Sequence, residues 1–238
     1  MDNYDNRRFQ FAPPVTQNLM IINLLFWLAQ TVLEGRFGID LTDMLGLHYL
    51  QAGKFNVAQL FSYMFLHANF SHLFFNMFSL WMFGRTIELF WGAKRFLTYY
   101  VVCGLAAALA QQAVWAFDFK AVADSAAEVV RFPDGTELLK HVFLNLPVTI
   151  GASGAVFGLL LAFGMLFPNS AIYLFFIPVP IKAKWFVLFY GLIELFLGVA
   201  PMAGASNVAH FAHLGGMIGG IFLILLWRKK GEIDGPYN

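Results

Sequence analysis

Charge is scarce in this chain. Asp, Glu, Lys and Arg make up 12% of its 238 residues, against about 25% in soluble domains. The net charge of +1 removes the basic-surface argument for a nucleic-acid partner. Cysteine is nearly missing too: Cys103 stands alone, which excludes an intrachain disulfide framework, and its apolar setting marks it as packing. No His-Glu-x-x-His string occurs, so that helical zinc-hydrolase pattern is absent. The first apolar run has no small-residue cleavage site, and Asp2, Asp5, Arg7 and Arg8 precede it; both features argue against a cleaved signal or transit peptide. Internal repeats and low-complexity tracts are also lacking.

Apolar residues fill the space that charge leaves, at 59% of the chain with 28 Phe. A helix needs about 20 predominantly apolar residues to cross the hydrocarbon core. Six runs approach that length: 15–33, 70–90, 96–117, 150–167, 181–200 and 208–227. The expected fold is therefore an all-α integral membrane bundle of six transmembrane helices. One membrane domain covers 15–230, with tails at 1–14 and 231–238. Arg7, Arg8, Arg85, Lys94, Arg95, Lys182, Lys184, Arg228, Lys229 and Lys230 fall in the tails and even-numbered loops, leaving five of the 15 basic residues for the odd-numbered loops. The positive-inside rule then puts both termini in the cytoplasm, with the plasma (cell inner) membrane as the expected location. Two external loops stand out. The partly apolar 35–59 segment is expected to lie in the interface, and 118–147 holds a Pro133-Asp134-Gly135 turn signal.

In this topology runs two, four and six all begin outside. His67 and His72 then lie at the outer end of run two, Ser153 at that of run four and His213 near that of run six. At 1.5 Å per residue, Ser153 and His213 sit within about 10 Å of the outer boundary. Polar and ionisable groups are costly in a bilayer and usually mark function. A serine becomes a nucleophile when an adjacent base takes its proton, and histidine is the usual base. Close approach has its means in Gly154 and Gly158, Ala212 and Gly216, and Gly216 and Gly220, since small residues four apart let membrane helices meet backbone to backbone. His72 and Asn76 share a helix face and, with the Ser153 N–H, are candidate donors to a developing oxyanion. Their bland alternative is interhelical bonding; Ser153 could likewise bond only a backbone carbonyl. His210, His213 and His72 form a conceivable metal set, but no carboxylate is expected within the site and no metal is expected to bind. Glu88 reads as an interfacial pair with Arg85, and Glu194 as an interhelical hydrogen-bonding group in mid-span five. The rival functions are a proton-coupled transporter and a noncatalytic binding factor for membrane proteins. A transporter should carry polar groups at mid-membrane on several helices, whereas here they gather at the outer ends.

Three motifs resemble those of the rhomboid intramembrane serine proteases. They are His67-Ala-Asn-Phe-Ser-His72-Leu-Phe-Phe-Asn76 running into Gly84-Arg-Thr-Ile-Glu88, then Gly151-Ala-Ser153-Gly154-Ala-Val-Phe-Gly158, then Ala212-His213-Leu-Gly-Gly216. They occur in that family's order, and the resemblance covers about residues 15 to 230. It implies a six-helix rhomboid-like bundle in which Ser153 is the nucleophile and His213 the general base, a dyad with no acidic third member. It implies that His72, Asn76 and the Ser153 amide stabilise the oxyanion and that Phe157 lies against the catalytic histidine. His67, Gly151, Gly154 and Gly216 take supporting places. The implied activity is serine endopeptidase cleavage of other proteins' transmembrane segments near their external ends, without cofactor. The expected partners are the lipid bilayer and transmembrane substrates. An unwound segment in lipid leaves backbone groups unsatisfied, so these substrates should carry helix-weakening Gly or Pro near the scissile bond. Run five with the Gly- and Ser-containing 201–207 loop is expected as gate and lid. The chain departs from many members in lacking a Trp-Arg pair in 35–59 and in having a longer 118–147 loop.

Overall fold

Proline opens the first helix and glycine closes it. In the computed structural model, which describes residues 12–174, 177–199, 208–234 and 236, α1 (Pro14–Phe37) begins where Pro14 needs no N–H partner. It ends on Gly38, at φ 64°, whose N–H donates to the Glu34 carbonyl. The Glu88 carboxylate takes the N–H groups of Val15 and Thr16 at 2.9 and 2.7 Å, placing an anion at the positive end of the helix. Glu88, expected as a partner of Arg85, thus caps α1.

Short elements α2 (Leu41–Leu45), β1 (Leu47–His48) and α3 (Gln59–Ser62) fill the first loop. Next come α4 (Phe70–Ser79) and α5 (Arg85–Trp91), joined through a π-helical turn at Leu80–Gly84, so the second apolar run is a helix of irregular winding. After Gly92, α6 (Ala93–Asp118) leads to α7 (Lys120–Ala123), β2 (Val129–Arg131), β3 (Glu137–Leu139), α8 (Lys140–Asn145) and β4 (Val148–Thr149). The remainder is α9 (Ser153–Leu166), β5 (Ala171–Leu174), β6 (Ile177–Lys182), α10 (Ala183–Val199) and α11 (Val208–Lys229). Within the described residues, α1, α6 and the 210–229 part of α11 are long and apolar enough to cross a membrane, and α9 is a shorter apolar helix. The N-terminal tail through residue 11 and the 201–207 connection, expected as a lid, lie outside the described residues.

Purely helical structure was expected; three two-stranded antiparallel sheets correct this. The pair β5–β6 occupies 181–182, which the sequence reading gave to the fifth helix. Pro178 and Pro180 explain the late helix start, since proline has no N–H for an interior helical bond. The fourth helix also starts late, at Ser153 and not at residue 150, because β4 precedes it. The β2–β3 hairpin turns at the signalled site: Gly135, at φ 86°, donates its N–H to the Phe132 carbonyl at 3.0 Å.

Helices α6, α9 and α11 pack together at the centre, with α10 against α11 and α9. The fully buried Tyr99 hydroxyl donates to the Gly158 carbonyl at 2.9 Å, tying α6 to α9. The first loop is divided between protein and exterior. Leu47 and Tyr49 are buried, Tyr49 meets Trp115 and Phe119 edge-on, while Met44 and Leu50 are exposed. The pairing of β1 with β4, Leu47 opposite Thr149, ties this loop to the segment that delivers Ser153.

Candidate active site

Gly151 lies in the three-residue passage from strand β4 to helix α9. Its φ of 130° is open to glycine and rarely to other residues, and its N–H donates to the Tyr63 carbonyl at 2.9 Å. Ser153 follows as the first residue of α9. A Cβ built on Gly151 would lie 2.8 Å from His72 Cε1 and Nε2 and 3.7 Å from Ser153 Oγ. The His72 imidazole therefore sits across the chain beside the Ser153 hydroxyl.

His213 approaches from α11. Its Nε2 lies 2.8 Å from Ser153 Oγ, and its ring stacks on Phe157 at 4.1 Å between centroids and 5° between planes. Phe157 is four residues after Ser153, so one helix carries both the hydroxyl and the platform for the ring that meets it. The helices can come this close because Gly216 lies against the Gly154 carbonyl, where a Cβ would collide with that oxygen.

The polar groups of α4 are held locally. Asn69 Oδ1 accepts the His72 N–H at 2.8 Å, capping the helix. His72 Nδ1 accepts the Ala68 N–H at 3.4 Å. In a neutral ring that leaves the proton on Nε2, the atom facing Gly151. Asn76 is buried and donates through Nδ2 to the His72 carbonyl at 2.8 Å; its second N–H remains as a donor. His67 is buried at the entrance to α4, 5.0 Å from the His72 ring. Its main-chain N–H donates to Gln30 Oε1 at 3.0 Å, a support from α1 that sequence reading missed. Burial, with His72 alongside, pushes the His67 imidazole down to about 3. His48 and His141 belong to β1 and α8; His48 Nε2 is 3.0 Å from the Asp43 carbonyl oxygen.

One expectation fails. No carboxylate was expected in the site, yet Glu194 of α10 puts Oε2 3.0 Å from His213 Nδ1 and 2.7 Å from His210 Nδ1. Glu194 is five residues from the end of α10, and His213 five from the start of α11. On neighbouring helices joined at those ends, equal counts mean equal depth. Reading Glu194 as mid-span hid that match. Glu194, His210 and His213 are also the three described side chains whose ligand-type atoms, all within 4.8 Å of one another, suit a metal ion; His72 lies on the serine side and is not part of that group.

The arrangement is that of a helical membrane protein in which a buried face brings a serine hydroxyl onto an imidazole nitrogen, with further donors grouped beside it. Residues 54–230 match the family model described as Rhomboid domain. The chain belongs to the rhomboid family, as its motifs indicated. Rhomboid protein 1, mitochondrial, of Saccharomyces cerevisiae is 32% identical over 157 residues, 66% of this chain and 38% of that protein. RHOMBOID-like protein 1 of Arabidopsis thaliana is 28% identical over 217 residues, 91% of this chain and 43% of that protein. Rhomboid-like protease 5 of Toxoplasma gondii is 30% identical over 162 residues, covering 66% of this chain and 15% of that protein. The chain thus spans less than half the length of each of these relatives. Since one of them is named as mitochondrial, family membership gives no support to the expected plasma-membrane location.

Proposed function

We propose that this chain is an intramembrane serine endopeptidase that cuts transmembrane segments of other proteins near their external ends. The observation that carries the reading is the 2.8 Å contact between Ser153 Oγ and His213 Nε2, with the ring stacked on Phe157. In this role His213 takes the hydroxyl proton as Ser153 Oγ attacks the peptide carbonyl carbon. The carbonyl oxygen becomes an oxyanion, which the Nε2–H of His72, the free N–H of Asn76 and the main-chain N–H of Ser153 stabilise. His213 then protonates the leaving amine, and water, activated by the same ring, releases the acyl group from Ser153. Gly151, Gly154 and Gly216 hold the backbones close enough for this, and His67 supports His72.

The proposed topology has six spans, formed by α1, the 70–91 helix, α6, α9, α10 and α11, with both tails on the cytoplasmic side as the charge bias favours. An unwound peptide in lipid leaves backbone groups unsatisfied, so substrates should carry helix-weakening Gly or Pro near the scissile bond. The family relationship supports this reading, and the relative from Toxoplasma gondii is named a protease. A noncatalytic binding factor has no need of the serine–histidine contact.

The test compares wild type with Ser153→Ala on a model transmembrane substrate in proteoliposomes. Cleavage should disappear in the alanine variant while helix content and melting temperature stay in place, since one hydroxyl contributes about 1 kcal/mol or less. A fluorophosphonate should label the wild type at Ser153. Substantial turnover by Ser153→Ala would end the serine-peptidase reading.

A further inference from the structure

The Ser153–His213 contact is one half of a longer chain of side chains. Beyond His213 lies Glu194, 7% exposed, whose Oε2 meets His213 Nδ1 at 3.0 Å and His210 Nδ1 at 2.7 Å. Two helices contribute to this second half: α10 gives the carboxylate, α11 both rings.

An ionised carboxylate only accepts hydrogen bonds. Facing it, each imidazole must present a protonated Nδ1. In His213 this decides the tautomer: the single proton of the neutral ring is on Nδ1, and the Nε2 lone pair is aimed at Ser153 Oγ. Without the carboxylate both tautomers are open, and the one protonated at Nε2 cannot accept the serine proton. The carboxylate acts a second time when the proton has moved, because the imidazolium then lies beside a negative charge in a poorly solvated setting. A buried carboxylate is costly unless its oxygens are bonded. Here His210 supplies a second N–H to the same oxygen, so Glu194 has a donor besides the ring that meets the serine.

Interhelical bonding alone is the competing account, because polar side chains do join membrane helices. It would be met by a bond from His210, which already joins α11 to α10. It gives no reason for the carboxylate to meet also the ring hydrogen-bonded to Ser153, on the nitrogen opposite the contact.

We infer that Glu194 is the positioning residue of the Ser153–His213 pair, so that the site is a three-membered Ser–His–Glu array, with His210 holding the carboxylate. The family resemblance implies a two-membered dyad, so this chain has an acidic member of its own. The inference rests on the proposed serine-peptidase activity, and the experiment separates the two.

Full-length wild type, Ser153→Ala, Glu194→Gln, Glu194→Asp and His210→Ala are reconstituted with a fluorogenic transmembrane substrate. The kcat, KM and melting temperature are measured on each folded fraction, together with the fluorophosphonate labelling rate. Glutamine preserves the shape and can still bond both rings, but it has no charge and can donate to Nδ1, forcing the wrong tautomer. Glu194→Gln should therefore lose about 10²–10⁴-fold in kcat, toward the scale of the corresponding acid-to-amide change in soluble triads. KM should stay within about threefold, because the effect belongs to the transition state, and the labelling rate should fall in parallel. His210→Ala should lose about tenfold or less. Glu194→Asp keeps the charge but draws it back by one methylene, and should lose about tenfold in kcat.

Wild-type kcat in Glu194→Gln, with Ser153→Ala inactive, overturns the inference and leaves the peptidase reading standing. Should Glu194→Gln not fold, the aspartate variant decides: kcat within twofold of wild type overturns the inference. Gln and Asp variants equally impaired in kcat would assign the effect to packing and overturn it as well. Turnover by Ser153→Ala removes the peptidase reading and the inference with it.

Discussion

Replacing Gly216 by alanine adds one methyl group at a contact that is backbone on both sides. A Cβ there would collide with the Gly154 carbonyl oxygen and would lie 2.7 Å from the Gly154 carbonyl carbon and 3.3 Å from its Cα. Comfortable carbon contacts need about 3.5–4.0 Å, and neither backbone has a rotamer through which to yield. Relief therefore requires α11 and α9 to part by roughly 1 Å, an overpacking that costs about 1–3 kcal/mol. His213 is three residues from Gly216, and Ser153 adjoins Gly154, so the reactive pair is within a helical turn of the collision. Their 2.8 Å contact would open past the hydrogen-bonding range of about 3.2 Å. A misplacement of about 1 Å costs on the order of 10²-fold in rate. Gly216→Ala should thus lose about two orders of magnitude in kcat per folded molecule, with a measurable drop in melting temperature. Gly35→Ala is the control, since a Cβ at Gly35 meets nothing within 4 Å. Gly216→Ala with wild-type kcat and melting temperature would refute the argument that this close approach sets the reactive contact.

Asn76→Ala should lower kcat by about 10²–10³-fold with KM little changed, the scale for losing one oxyanion donor; a lowered melting temperature with intact kcat would instead make Asn76 a packing residue. Acid should destabilise the protein through His67, in the entrance to α4. Its folded value of about 3 lies below the ordinary 6.5 or so, so between these values the unfolded chain binds a proton the folded one does not, and stability is lost as pH falls from 6.5. At pH 5 the loss is up to about 2 kcal/mol, and His67→Gln should flatten the fall in melting temperature between pH 7 and 5; an equal fall in both proteins would remove His67 as its cause. Cysteines placed at Asp124 or Asp134 of a Cys103→Ala variant should react with impermeant thiol reagents from outside, and those at Lys94 or Lys182 only after the membrane is opened; the opposite pattern would reverse the proposed orientation.

Helix positions were legible where apolar length alone decides, as in α1, α6 and α11. Boundaries were less so, because the hydropathy of 150–152 and 181–182 continues that of the neighbouring helices while their backbones do not. Gly151 at φ 130° and the two prolines before 181 carried that information in residue type. The π-helical turn at Leu80–Gly84 leaves no comparable signal in its Leu-Trp-Met-Phe-Gly sequence. Ser153 and His213 could be paired from the sequence because their small-residue faces accompany them. Glu194 could not be assigned a face: α10 is apolar on nearly every side, and in lipid no contrast between polar and apolar surfaces orients it. Its distance from the 201–207 connection was the usable measure, and it requires knowing where α10 ends.

Burial of a polar side chain does not by itself single out this site. Among the described residues, most buried polar groups with hydrogen bonds serve the backbone. Glu88 caps α1, Asn23 donates to the Leu19 carbonyl, Tyr63 to that of Gly104 and Tyr99 to that of Gly158. Glu88 resolves unsatisfied N–H groups at the start of α1, Asn23 bonds back within its own helix, and the two tyrosines tie separate segments together, as expected where water is scarce. Of the side-chain contacts elsewhere, the Thr16 hydroxyl donates to the Glu88 carboxylate, which also takes the Val15 and Thr16 N–H groups, and Gln30 donates to the Thr42 hydroxyl; each joins a single pair and not a succession. In Ser153, His213, Glu194 and His210 the partners are side chains in succession, and each can change its protonation or reactivity when its neighbour does. Such a chain is a poor way to hold helices together, since every member must be desolvated and oriented for the next. Its order is that required to move a proton from a hydroxyl to a ring and to stabilise the charge left there. That order, more than the depth at which the groups lie, separates the candidate site from the polar fastening found elsewhere in the molecule.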